Sequence, residues 1–294
     1  KNMNKYDYPF HDHFFVFYIL LGSTLLLLNL QVILVIRRSK CLWILSGYRI
    51  ILFGSAADAV NCGAQVAVVA LTLRTPAIHP TLNMLLSTLF QTSYAVEYPT
   101  IFVLAFNRFL AVVFPKKLDS IFDTTKTTII LLLCGLFGSL NGAICLSGKI
   151  QILWEPSVPT FYFTSGFVNT MVRLHLGFLS DETSFTANLM RSVDLYFGEL
   201  VYITSFIVYV VIIVFLLCNV CDAFQRNLIQ SVRVEFPLLL HSFQSFMFSG
   251  ALLYLWYYPL TDSAHYCYIV NALNVFRFGA TPISLLITNR YSAT

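Results

Sequence analysis

Long apolar runs constrain this chain more than any single motif does. Seven of them reach the roughly 20 residues that an α-helix needs to cross a bilayer at about 1.5 Å per residue: Phe14–Ile36, Ser46–Leu73, Leu82–Phe114, Thr127–Ser147, Leu195–Cys218, Phe236–Tyr258 and Tyr266–Thr288. Hydrocarbon offers no water to unpaired backbone N–H and C=O groups, so runs of this length predict helices and an all-α, seven-helix membrane bundle. Only 11% of the 294 residues are charged, 57% are apolar, and the mean hydropathy is +0.74. A soluble domain carries about a quarter charged residues, so lipid is the expected solvent for much of this surface.

Lys and Arg in the short connections set the expected orientation. Arg37, Arg38, Lys40, Arg108, Lys116, Lys117, Lys126, Arg226, Arg233 and Arg290 fall on one side, ten in all. The short segments of the other side hold Lys1, Lys5 and Arg74, while Lys149, Arg173 and Arg191 lie in a long connection that counts for little. The reading is N-terminus outside, C-terminus inside, with the first span as its own insertion signal. The net charge of +4 follows from this bias and gives no footprint for nucleic acid.

Residues 1–294 read as one domain, without repeats or low-complexity stretches. The longest connection, about 148–194, faces outside and holds Trp154, Glu155, Pro156, Pro159 and the run Phe161-Tyr162-Phe163. It reads either as a lid or as a plain solvated link. The seven cysteines are scattered through spans and both faces, with no disulfide framework or metal spacing. No metalloprotease, paired-aspartate or nucleophile-elbow motif occurs, so no enzyme is expected.

Three charges lie inside the apolar runs. Asp58 is about twelve residues from the inner end of its span, Glu97 eleven before Arg108, and Arg277 eleven before Thr288, which places all three about 16–18 Å above the inner face. Charges at mid-membrane face the bundle interior and pair there. The shared depth predicts a cluster in which Arg277 bridges Asp58 and Glu97. Phe90, Tyr94, Glu97, Ile101, Leu104 and Arg108 form a stripe at helical spacing on the third span. Its outer part, with Gln91, Glu199, Tyr254, Asn271 and Asn274, could wall a pocket for a small organic ligand, Glu199 attracting any positive charge on it.

At the inner end of the third span stands Asn107-Arg108-Phe109-Leu110-Ala111-Val112-Val113-Phe114-Pro115. Alone, Arg108 reads equally well as a snorkelling anchor. The string resembles the Asp-Arg-Tyr-x-Ala-Val-x-x-Pro signature of rhodopsin-like G-protein-coupled receptors, with Asn107 for the acid and Phe109 for the tyrosine. Asn29, Asp58 and Thr281-Pro282 resemble the same receptors' polar landmarks in order and spacing. Asn-Arg-Phe with a downstream proline is similar to the nematode serpentine chemoreceptors.

That resemblance implies a chemosensory receptor in the plasma membrane, including that of sensory cilia, which detects a small molecule and signals through a heterotrimeric G protein. It implies that Asn107, Arg108, Phe109 and Pro282 belong to the activation and coupling machinery. It also implies a monovalent cation near Asp58, a place Arg277 could take as a tethered cation. The chain departs from the wider pattern: it lacks an outer cysteine pair, a span-four tryptophan and Asn-Pro-x-x-Tyr, and Trp256 and Pro259 sit too near the outer end. Asn107 cannot form the family's ion pair with arginine, so the resting latch is expected to be weaker or supplied by Asp119, Asp222 or Glu235. A transporter using Asp58, Glu97 and Arg277 as an ion path is the alternative, disfavoured by the odd span count and the missing paired halves.

Overall fold

The computed structural model describes residues 11–74, 78–147, 150–155, 160–165, 185–220, 264–292 and, between the last two, Leu239, 242–244, 246–255 and Leu260. Lys1, Lys5, Lys149, Arg173, Asp222, Arg226, Arg233, Glu235, Trp256 and Pro259 lie outside the described residues.

Each apolar run forms a helix where it is described. The elements are α1 (His11–Arg38), α2 (Lys40–Ile44), α3 (Ser46–Arg74), α4 (Pro80–Val113), α5 (Pro115–Ile121), α6 (Thr124–Leu146), α7 (Phe185–Val220) and α8 (Ala264–Ser292). Residues 242–244 and 246–255 are helical as well. Helices α1, α3, α4, α6 and α7 are long and apolar enough to cross a membrane. Local chemistry sets their ends. Proline opens α4 and α5, at the position where a missing N–H costs nothing. Asp123 caps α6 by accepting from the Lys126 backbone N–H at 2.7 Å.

One departure from an all-helical bundle lies in the long connection. Ile150–Glu155 and Thr160–Ser165 pair as antiparallel strands β1 and β2, from Ile150 opposite Ser165 to Glu155 opposite Thr160. Both runs are rich in β-branched and aromatic residues, which favour strands, and pairing satisfies their backbone groups. The expected connection is also shorter than its sequence boundaries, because α7 begins at Phe185 rather than near 195. β1 lies against α4 and α6, and β2 against α7.

Helix α4 is the hub, in contact with α3, α6 and α7, while α1 packs on α3 and α8. Buried apolar residues form three clusters: Phe15, Tyr18, Val68, Phe90 and Phe278; Tyr98, Ile101, Tyr202, Tyr209 and Phe246; and Ile36, Ile50, Leu104, Leu110 and Phe122. The outward faces remain apolar. Leu27 is 66% exposed, Leu132 66% and Leu217 67%, an arrangement stable only against hydrocarbon. On α6, Gly138 and Gly142 meet Thr92 and Val96 of α4, the small-xxx-small contact that brings membrane helices close.

Candidate functional site

The three intramembrane charges are brought together. Arg277 of α8 pairs through Nη2 with Glu97 of α4, their side chains 3% and 16% exposed. Ser249 Oγ donates to Glu97 Oε1 at 2.8 Å, adding a third helical segment. The guanidinium carbon lies 4.9 Å from the Tyr94 ring centre and 4.7 Å from that of Phe278, distances at which aromatic faces stabilise a cation. Asp58 lines the same cavity of about 60 Å³, with Glu97, Arg277, Ser55 and Thr100. Such a space is roomy enough for ordered water.

Arg277 reaches one carboxylate rather than two. Among the described residues it makes no ion pair with Asp58 within 4.0 Å, and Glu97 takes Nη2. Its Nε and Nη1 are buried without a protein partner, so two donors of the fork remain for water or for a moved side chain.

The residues expected to wall the ligand pocket separate into two groups. Phe90 and Tyr94 stack with ring centres 6.1 Å apart, and Tyr94 meets Tyr98 edge-on at 5.2 Å. Gln91, Asn271 and Asn274 are buried at 2%, 3% and 5% exposure, and Glu199 is half-buried on α7. Tyr254, at 59% exposure, lies on the outer surface and not in the expected wall. It stands five residues past the buried Ser249, about 140° round the helix at 100° per residue. A polar chain absent from the sequence reading lies beside this set. Tyr18 Oη donates to Gln65, Gln65 to Asn61, and Asn61 Nδ2 to Ser93 Oγ at 2.9 Å, joining α1, α3 and α4.

Near the C-terminal end of α4, Asn107 is fully buried. Its Nδ2 donates to Ser46 Oγ at 2.8 Å, and its Oδ1 accepts from Arg108 Nη2 at 2.6 Å. A neutral amide thus holds the arginine and ties it to the first residue of α3. Gly47 completes the seat: a Cβ there would overlap Nη2 of Arg108 and come 2.7 Å from its Cζ. Phe109 is half-buried beside Phe114, ring centres 5.6 Å apart. Pro282 is buried within α8. Asp119 is exposed and makes no ion pair among the described residues, while Asp222 and Glu235 fall outside them. Arg49 was not expected to matter, yet it is buried and donates through Nη1 to the Thr124 carbonyl at 2.9 Å. Its place three residues inside a span was the available signal.

Asn29 Nδ2 donates to the Phe278 carbonyl at 2.7 Å, linking α1 to the helix that carries Arg277. Long lipid-facing helices, charges paired in their midst and an amide-held arginine near one helix end define a helical membrane protein. The sequence model of the serpentine type 7TM GPCR chemoreceptor Srx family matches residues 19–197, more than half of the chain, and the chain belongs to that family. The match takes in Asp58, Glu97, Asn107 and Arg108, while Ser249 and Arg277 lie beyond it. No curated protein matches the chain.

Proposed function

We propose that this chemoreceptor detects a small organic molecule at its outer half and passes the signal to a heterotrimeric G protein at its inner end. In this reading it crosses the plasma membrane seven times, N-terminus outside. The observation that carries it is the buried pair of Glu97 and Arg277, held with Ser249. It couples α4, α8 and the 246–255 segment at one depth, between the Phe90/Tyr94 aromatics and the Arg108 seat. A ligand that shifts Tyr94 disturbs the cation resting on its face, and the pair transmits that shift along the helix that carries Arg108. Family membership supports the receptor over a transporter.

The test is expression with a promiscuous G protein and a panel of volatile organic molecules. A response in the wild type, lost in Arg108→Ala at equal surface expression, supports the reading; responses that persist in Arg108→Ala defeat the coupling role. Asn107→Asp restores an acid beside Arg108 and should lower basal signalling, since a carboxylate holds a guanidinium more tightly than an amide does. With Glu97 committed to Arg277, Asp58 supplies the carboxylate for a monovalent cation in the cavity. Replacing sodium by choline should then lower the thermal stability of the wild type and leave Asp58→Asn unchanged.

A further inference from the structure

The chain has no acidic residue between Asp12 and Asp58, yet Arg37, Arg38 and Lys40 cluster there. All three are exposed, and among the described residues none makes an ion pair. Arg37 and Lys40 line an open notch of about 450 Å³ whose remaining walls are Trp43 and Ile44. These two apolar side chains are 44% and 73% exposed. Below the notch, Leu27, Leu30 and Leu34 of α1 are 66%, 43% and 52% exposed. With Arg37 they fall within an arc of about 80° on one helix face. The notch thus has a cationic wall, an interfacial indole and a continuous apolar track leading from it along the helix.

We propose that this notch binds an anionic membrane phospholipid, the phosphate on Arg37 and Lys40, the glycerol region against Trp43, and an acyl chain along Leu34, Leu30 and Leu27. The inference rests on the membrane-receptor reading, which puts these cations at the inner face, where anionic lipids gather. A water-soluble anion would have no use for the exposed leucines, and an acidic protein segment would leave them in lipid regardless. Charge and apolar surface together fit one amphiphile whose two parts have the same order along α1. An occupant here would brace the end of α1 against α2, which leads directly into the Ser46 and Gly47 seat of Arg108.

Trp43 gives the probe. Full-length receptor carrying Trp154→Phe and Trp256→Phe, so that Trp43 alone emits, is placed in vesicles containing phosphatidylserine or phosphatidylcholine brominated in the acyl chains. Quenching gives the relative association constant of the two lipids. Each cation near the surface contributes about a fivefold preference, so the serine lipid should be favoured about tenfold or more and Arg37→Gln with Lys40→Gln should bring the ratio close to one. Arg37→Lys with Lys40→Arg, which keeps the charge, should retain the preference, as should Lys116→Gln with Lys117→Gln elsewhere on the same face. Equal quenching by both lipids in the parent, or a preference untouched by the double glutamine variant, overturns the proposal. Relief of quenching by excess glycerophosphoserine also overturns it, since a free phosphoryl group would then suffice. The measurement needs neither ligand nor G protein. Its failure leaves the signalling reading standing, and a receptor silent in cells leaves the lipid result standing.

Discussion

The guanidinium of Arg108 rests on the bare Cα of Gly47: a side-chain carbon added there would occupy the space of Nη2 and lie 3.2 Å from Asn107 Oδ1. The obstructing atoms belong to the far end of a flexible side chain, so the arginine can yield and the helices need not. Gly47→Ala should therefore expel Arg108 from its seat with little loss of folded protein. If the seat holds the resting state, basal signalling should rise. Overpacking costs about 1–3 kcal/mol, which as a bias between resting and active states corresponds to between about fivefold and about 150-fold in their ratio. Ligand-free reporter activity at matched surface expression checks this; an unchanged basal level with intact folding removes Gly47 from the latch.

Glu97 and Arg277 should behave as a unit. Removing one partner of a buried ion pair leaves the other charge uncompensated and costs about 3–5 kcal/mol. Glu97→Gln and Arg277→Gln should each lower the thermal midpoint markedly, and the double variant should be more stable than the sum of the two losses allows. Asp58→Asn should couple to Arg277→Gln more weakly than Glu97→Gln does, because Asp58 shares the cavity and its low-dielectric field without pairing to Arg277. Unfolding in detergent, followed through a double-mutant cycle, decides it. Strong coupling of Arg277 to Asp58 with none to Glu97 would contradict the geometry.

The cap of α6 sets a pH response. Asp123 accepts the Lys126 backbone N–H, and its carboxyl is held below the usual carboxylate range chiefly by that hydrogen bond and further by the Lys126 ammonium, 3.3 Å away. A depressed folded-state pKa means that the stabilisation is present above the unfolded value of about 3.9 and is lost as pH falls through the lower folded value. Asp123→Asn keeps a capping oxygen that does not titrate. The variant should lose less stability than the wild type between about pH 5 and pH 2, and parallel pH curves for the two proteins would show that the cap carries none of the response.

How far the sequence reached depended on whether a feature needs one coordinate or three. The depth of Asp58, Glu97 and Arg277 follows from a fixed rise per residue, so their meeting was legible from spacing alone. Which carboxylate takes Arg277 depends on the rotation of three helices about their axes, and Ser249 as partner to Glu97 carries no signal in its own neighbourhood. Tyr254 failed for the same reason: its residue type suits a pocket, and its angular position does not. The strand pair of 150–155 and 160–165 hid inside a run read as connection because two six-residue strands give a weak pattern beside spans of more than twenty. Gly47 could not be seen at all, since its role is to leave space for a side chain 61 positions away.

The α4 and α6 contact gives a graded series within one helix. A Cβ on Gly138 would overlap Val96 and come 2.7 Å from the Thr92 carbonyl oxygen, whereas on Gly142 it would overlap only side-chain atoms, chiefly Thr92 Oγ1. On Gly135 it would meet the Phe53 ring at 3.5 Å, an ordinary contact. Backbone cannot rotate aside, while a threonine hydroxyl can. Gly138→Ala should therefore force the helices apart and lose about 1–3 kcal/mol. Gly142→Ala should lose less, and Gly135→Ala should be neutral or gain up to about 1 kcal/mol from improved helix propensity. Thermal midpoints of the purified variants rank the three sites. The order Gly138, Gly142, Gly135 from most to least damaging is expected, and equal losses at all three would mean that helix–helix approach does not limit the packing of α6 on α4.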